Sequence, residues 1–147
     1  MQLPAPLSRA ARYLWAAPYT AAGLVLGALA LLLGASARVS GGVLEVAGGG
    51  AGRVLARLPA PLAFSAMTLG HVILAVDRPA LNHLRQHEHV HVRQYEHWGP
   101  LFLPAYLLSS LVQLVRGRDP YRENHFEREA YAIGPLKRPL EREPFHG

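Results

Sequence analysis

Apolar positions along this chain gather into a few long blocks, separated by stretches where glycine, proline and charge take over. The first block runs from Tyr13 to Gly34, carries no charge and is dominated by Ala, Leu, Val and Gly. At about 22 residues it is long enough to cross a hydrocarbon core of roughly 30 Å as a helix, and it predicts an N-terminal transmembrane anchor. Arg9 and Arg12 before it and Ala35-Ser36-Ala37 behind it also fit a secretory signal with a small-residue cleavage site. The block exceeds the roughly 7–15 apolar residues of a signal core, which favours the anchor. Arginines flank both ends, so the positive-inside rule gives no orientation.

From Val39 to Gly52 glycines surround a short alternating piece, Val43-Leu44-Glu45-Val46, which reads as a strand between turns. Pro59 and Pro61 punctuate the chain. Phe64 to Val76, apolar and β-branched, predicts another strand; counted from Leu58 it is alternatively a second membrane-length segment, a reading that Thr68, Gly70 and His71 disfavour. His71 itself reads as a satisfied core or rim histidine. Asp77 can cap, and Pro79 can open, a helix that holds neither Gly nor Pro from Ala80 to Trp98. Gly99-Pro100 ends it. Leu101 to Val115 predicts an apolar helix, buried or dipping into a bilayer, because about 15 residues are short for a full span. A polar turn from Arg116 to Tyr121 precedes a short helix expected over about 122–133. The expected organisation is an anchor or signal segment over 1–37, one folded domain over 38–134 and an extended, mobile proline-rich tail over 135–147.

Composition narrows the field. The 147 residues suit one domain plus an appendage. Half of them are hydrophobic and only 17% are charged, on the oily side of a soluble protein and in keeping with a membrane location. The formal charge of +5 comes mostly from scattered arginines, without the basic run and interleaved aromatics of a nucleic-acid groove. Nucleic acid is therefore not an expected partner, and the basicity points to anionic membrane lipid or to solubility. With no cysteine, disulfide scaffolds, thiolate metal sites and cysteine nucleophiles are excluded.

The chemistry sits on the third helix. His87-Glu88-His89-Val90-His91 fits H-E-x-x-H, in which residues four apart lie on one helix face and bring two imidazoles to one metal ion. Two neutral imidazoles leave room for a third ligand and a water whose pKa zinc lowers to about 7, and the adjacent Glu88 can take that water's proton. Read as a strand instead, residues 86–92 would place His87, His89 and His91 on one face as a three-histidine site, but the spacing of Leu81, Leu84, His91 and Trp98 favours a helix. His83, His89 and His97 then read as surface or supporting residues.

Downstream lies Asn124-His125-Phe126-Glu127-Arg128-Glu129-Ala130-Tyr131. With this segment the motif resembles the gluzincin zinc metallopeptidases, whose second helix presents a Glu in an E-x-x-A-D or N-E-x-x-x-D context. Membrane-bound members, such as the prenyl-protein endopeptidases and the antibiotic-sensing receptor peptidases, place apolar segments around or between the two motif helices. The resemblance covers Ala80 to Tyr131. It implies an α+β fold, a minimal zincin-like domain made of a small sheet, the H-E-x-x-H helix and a glutamate helix, here behind an N-terminal transmembrane helix. It implies Zn2+ held by His87, His91 and Glu127, with Glu88 as general base, and hydrolysis of a peptide or protein substrate. The family's pre-motif strand usually pairs with the substrate backbone, which would give Phe64 to Val76 that task.

The chain departs from the pattern at Tyr131, which stands where an acidic residue usually braces a ligand histidine. Asp119, Asn124 or the Tyr131 hydroxyl are the candidate replacements. Glu123, one turn before Glu127, is the substitute third ligand. Oxyanion stabilisation has His125, Tyr121, Tyr131 and Tyr95 as candidates. The alternative function is a non-catalytic zinc site, structural or sensing, which a fourth protein ligand such as His125 or His83 would close.

Overall fold

The computed structural model of the chain describes residues 8–59 and 64–135. In chain order they form α1 (Arg9–Leu32), β1 (Ser36–Ser40), β2 (Val43–Ala47), α2 (Gly49–Ala56), β3 (Ala66–Leu69), β4 (Val72–Ala75), α3 (Arg78–Trp98), a 3-10 turn (Gly99–Leu101), α4 (Phe102–Val115) and α5 (His125–Ile133). The class is α+β. The sheet order is β1-β2-β4-β3, with β2 and β4 parallel and the two outer pairings antiparallel.

Strand alternation sorts the core into two faces. Val43, Ala47, Ile73 and Ala75 meet Leu81 and Val92 of α3, while Val46, Val72 and Leu74 meet Ala30 of α1 on the other side. The sheet is thus a middle layer between α1 and α3. The small residues of α1 make this possible. Ala16, Gly23, Gly27 and Ala30 are its buried positions, and a Cβ added at Gly23 would come 2.8 Å from Val72 Cβ. Its outer face leaves Leu14, Leu24, Val25, Leu29 and Leu32 exposed. Two helical stretches, Arg9–Leu32 and Arg78–Val115, are long and apolar enough to cross a membrane.

Several expectations change. The single strand expected over Phe64–Val76 is a hairpin, because Gly70 takes a φ of +59° and sits so close to Thr20 that any Cβ would collide with it. β1 has no counterpart in the sequence reading; Gly41 and Gly42, both at positive φ, form the two-residue turn that folds it onto β2. A helix, α2, occupies the glycine-rich stretch read as turns. Its Gly52 packs against the Val76 carbonyl where a side chain would not fit. α4 is not a buried helix, since Leu107, Leu108, Leu111 and Leu114 are exposed and only Phe102 is fully covered. α5 begins at His125 because Asn124 caps it, accepting the Phe126 N–H at 2.9 Å. The tail expected over 135–147 lies outside the described residues beyond Pro135.

α3 starts as expected, with the Asp77 side chain accepting the Ala80 N–H at 2.7 Å and Pro79 in its first turn. Its register on the sheet is held by a charge pair. Glu45 of β2 is fully buried and accepts from Arg85 Nε at 2.8 Å and Nη2 at 3.0 Å, with His89 Nε2 at 3.4 Å. Burial pushes the Glu45 carboxyl up, but the hydrogen bonds from Arg85 and His89 outweigh it and hold the group below its ordinary value of 4.5. The pair therefore stabilises the fold above about pH 4.5, and that contribution is lost as the pH falls. His71 is buried as expected, with its ring stacked 3.8 Å from Tyr13 and its Nε2 2.8 Å from Glu96.

Removing one member of the buried pair strands the other. Arg85→Ala is expected to cost about 3 kcal/mol in chemical denaturation near neutral pH, and the double variant Glu45→Leu/Arg85→Leu markedly less. No measurable loss in Arg85→Ala would show that α3 is held by packing alone.

Candidate metal centre

The helical period places His87, Glu88, His91, Gln94 and Tyr95 among the buried residues of α3, on the side away from Arg85 and His89. The three-histidine alternative is overturned: residues 86–92 are helical, and His89 turns to Glu45 on the sheet. His87 and His91 converge through their Nε2 atoms, 3.2 Å apart.

α5 delivers the third group. Glu127 Oε2 lies 3.0 Å from His87 Nε2, and Oε1 lies 3.4 Å from His91 Nε2. Two small residues permit the approach, Ala130 with no exposed surface and Gly134 where a Cβ would run into the Gln86 carbonyl. The few polar residues of α4 fix the start of α5. Ser110 Oγ accepts from Asn124 Nδ2 at 2.7 Å and Ser109 Oγ from the His125 N–H at 3.0 Å. From the same helix Tyr106 donates its hydroxyl to Glu127 Oε1 at 2.7 Å. Burial pushes the Glu127 carboxyl up, yet the bonds to His87, His91 and Tyr106 prevail and hold it far below the usual carboxylate range, so it is anionic at neutral pH. Glu123 precedes the α5 cap and meets Arg128 at 4.0 Å, away from this cluster.

Gln94, unremarked in the sequence, braces the site. Its Nε2 donates to the Phe126 carbonyl at 3.0 Å and to Glu129 Oε2 at 3.1 Å, so its Oε1 must be the atom that accepts from His91 Nδ1 at 2.8 Å. That places the His91 proton on Nδ1 and frees the Nε2 lone pair to face Glu127 and His87. One amide thus orients the His91 ring and ties α3 to α5. The expected braces act elsewhere: Asp119 caps its own turn at the Tyr121 and Arg122 N–H groups, and Asn124 caps α5. Tyr131 packs its ring 4.3 Å from that of His87 and leaves its hydroxyl with Tyr121. His87 Nδ1 is buried and has no hydrogen-bond partner among the described residues.

The donor set fits a divalent transition metal. Ligand atoms of His87, His91 and Glu127 lie within 4.8 Å of one another and all three residues are buried. Tetrahedral zinc with bonds of about 2.0–2.1 Å sets two ligand nitrogens roughly 3.3–3.4 Å apart, close to the 3.2 Å seen here. Among the described residues no fourth His or acidic side chain joins the three.

Glu88 holds none of these groups. Thr68 of β3 donates its hydroxyl to Glu88 Oε2 at 2.7 Å, and both residues line a cavity of about 260 Å³ with His91, Tyr95, Phe102 and Tyr106. Of the oxyanion candidates Tyr95 lines this cavity, and Tyr106, which the sequence reading did not name, lines it too. His125 is exposed and packs on Phe126. No protein-family model, curated protein or solved structure matches the chain.

Mass spectrometry of the purified protein is expected to find about one metal ion per chain, lost in His91→Ala and Glu127→Ala and kept in Glu123→Ala. Metal content indifferent to Glu127 would dissolve the centre. Gln94→Leu is expected to weaken metal affinity by about 10–100-fold while leaving the fold intact; chelator competition measures this, and an unchanged affinity would remove Gln94 from the site.

Proposed function

We propose that this chain is a zinc metallopeptidase of the gluzincin kind, working at a membrane. The observation that carries the reading is Glu88, a buried carboxylate that takes no part in the ligand cluster, is aimed by Thr68 and shares a cavity with His91. A purely structural metal site has no need of such a group, and it is normally closed by a fourth protein ligand.

In this reading His87, His91 and Glu127 hold the ion, and Tyr106 and Gln94 keep Glu127 and His91 in place. Zinc, when bound, would supply Lewis acidity and lower the pKa of a water beside Glu88. Glu88 accepts that water's proton at a carboxylate oxygen as the water attacks the peptide carbonyl, then gives it to the leaving amine. Thr68 steers Glu88 by occupying Oε2, which leaves Oε1 for the proton. Among the described residues β3 pairs only with β4, and its residues Ala66 to Leu69 border the cavity, which supports the pairing of its outer edge with an extended peptide backbone. Tyr95 and Tyr106 are the hydroxyl groups nearest the place where an oxyanion would develop. The apolar outer faces of α1 and α4 support a seat in or on the bilayer.

The test is cleavage of an unstructured peptide library by the full chain, followed by mass spectrometry. Glu88→Gln is expected to lower the rate by about 10²–10⁴-fold with metal content unchanged. No cleavage by the metal-loaded wild type, or equal cleavage by Glu88→Gln, would overturn the proposal.

A further inference from the structure

A second concavity lies on the far side of α3 from the metal. Arg9 and Arg12 of α1 and His89 and Arg93 of α3 wall a space of about 430 Å³ beside the Gly41-Gly42 turn. Its charge is unbalanced. Glu96 is the carboxylate in this wall, and it is engaged by His71 at 2.8 Å, leaving Arg12 a distant contact of 3.8 Å. The Arg12 Nε is buried without an acceptor. Arg9 lies over the Tyr13 ring at 5.8 Å, and among the described residues neither Arg9 nor Arg93 has a carboxylate partner. Three arginines lining one concavity with this little neutralisation suit an oxyanion with several acceptor oxygens, above all a phosphate.

The position in the fold says where that phosphate comes from. The concavity sits at the polar end of α1, and within one turn of Arg12 the chain exposes Leu14 (77%) and Trp15 (43%), followed by the apolar outer face. Arginine, then tryptophan, then an unbroken apolar surface is the order of groups across a headgroup region into hydrocarbon. We propose that this pocket binds the phosphate headgroup of an anionic phospholipid whose chains run along the outer face of α1. The pocket shares no residue with the metal cluster, so this site stands whether or not the chain is a peptidase.

The test uses the full chain in mild detergent, titrated with short-chain phosphatidylglycerol, with short-chain phosphatidylcholine and with inorganic phosphate, and read by thermal unfolding. Phosphatidylglycerol is expected to bind at least about tenfold more tightly than phosphatidylcholine. Arg9→Gln/Arg93→Gln removes that preference, weakening phosphatidylglycerol by about thirtyfold, the effect of two arginines near an anionic surface. Circular dichroism and metal content report whether the variant is folded, and Arg93→Gln alone, at an exposed position, is the milder variant if the pair is not. Equal affinity for the two lipids, or a preference that survives in the folded variants, would overturn the proposal. So would inorganic phosphate that displaces the lipid at similar concentration, since the ligand would then be a soluble phosphate.

Discussion

The seating of α3 between the sheet and α5 is the constraint on which the rest of the molecule depends. One side of the helix is committed to the sheet through Leu81, Val92 and the Arg85–Glu45 pair. The other side carries the histidines and has to meet a carboxylate from a different helix. A rotation of α3 that pleased one side would spoil the other. Gln94 makes the two demands compatible, since one amide bonds both His91 and the backbone of α5.

Charge burial sets the tolerances. Glu45, Glu88 and Glu127 are all nearly inaccessible, and an unpaired buried carboxylate is costly. Glu45 is matched by a cation, which makes it a register pin. Glu127 is matched by two imidazoles and a phenol, an arrangement that holds an anion in place. Glu88 has one hydroxyl partner. The least compensated of the three carboxylates is the one that faces the cavity.

The apolar surfaces follow a different logic. α1 spends its small residues on the sheet and its large ones outward, the reverse of a helix that covers a core in water. α4 also turns its leucines outward, but it packs Phe102 and Tyr106 inward and turns its serines toward α5. Both helices thus present an apolar face outward and protein contacts inward, and the arginine pocket lies at the N-terminal end of α1.

How much of this was legible depended on range. Helical spacing put His87 and His91 on one face, and cap chemistry at Asp77 set the start of α3, because these are consequences of local geometry, whereas the start of α5 at the Asn124 cap was placed about three residues too early. The Gly41-Gly42 turn was legible in principle as a hairpin signal. Composition and block length were enough for the apolar character of α1 and for the absence of thiol chemistry. What no local rule contains is which distant groups meet. The Gln94 brace, the Glu45 pin, the hairpin break at Gly70 and the helix across the glycines of α2 each exist because another segment arrives there. Gly52 is a glycine because of Val76, and Gly70 because of Thr20. The sequence alone determined the two histidines, a short list of carboxylates and the oily surface. Only the tertiary structure brought Glu127 from that list to the two histidines and set Glu88 apart from that cluster, because the distance between groups on different helices is decided by how closely their backbones can pack.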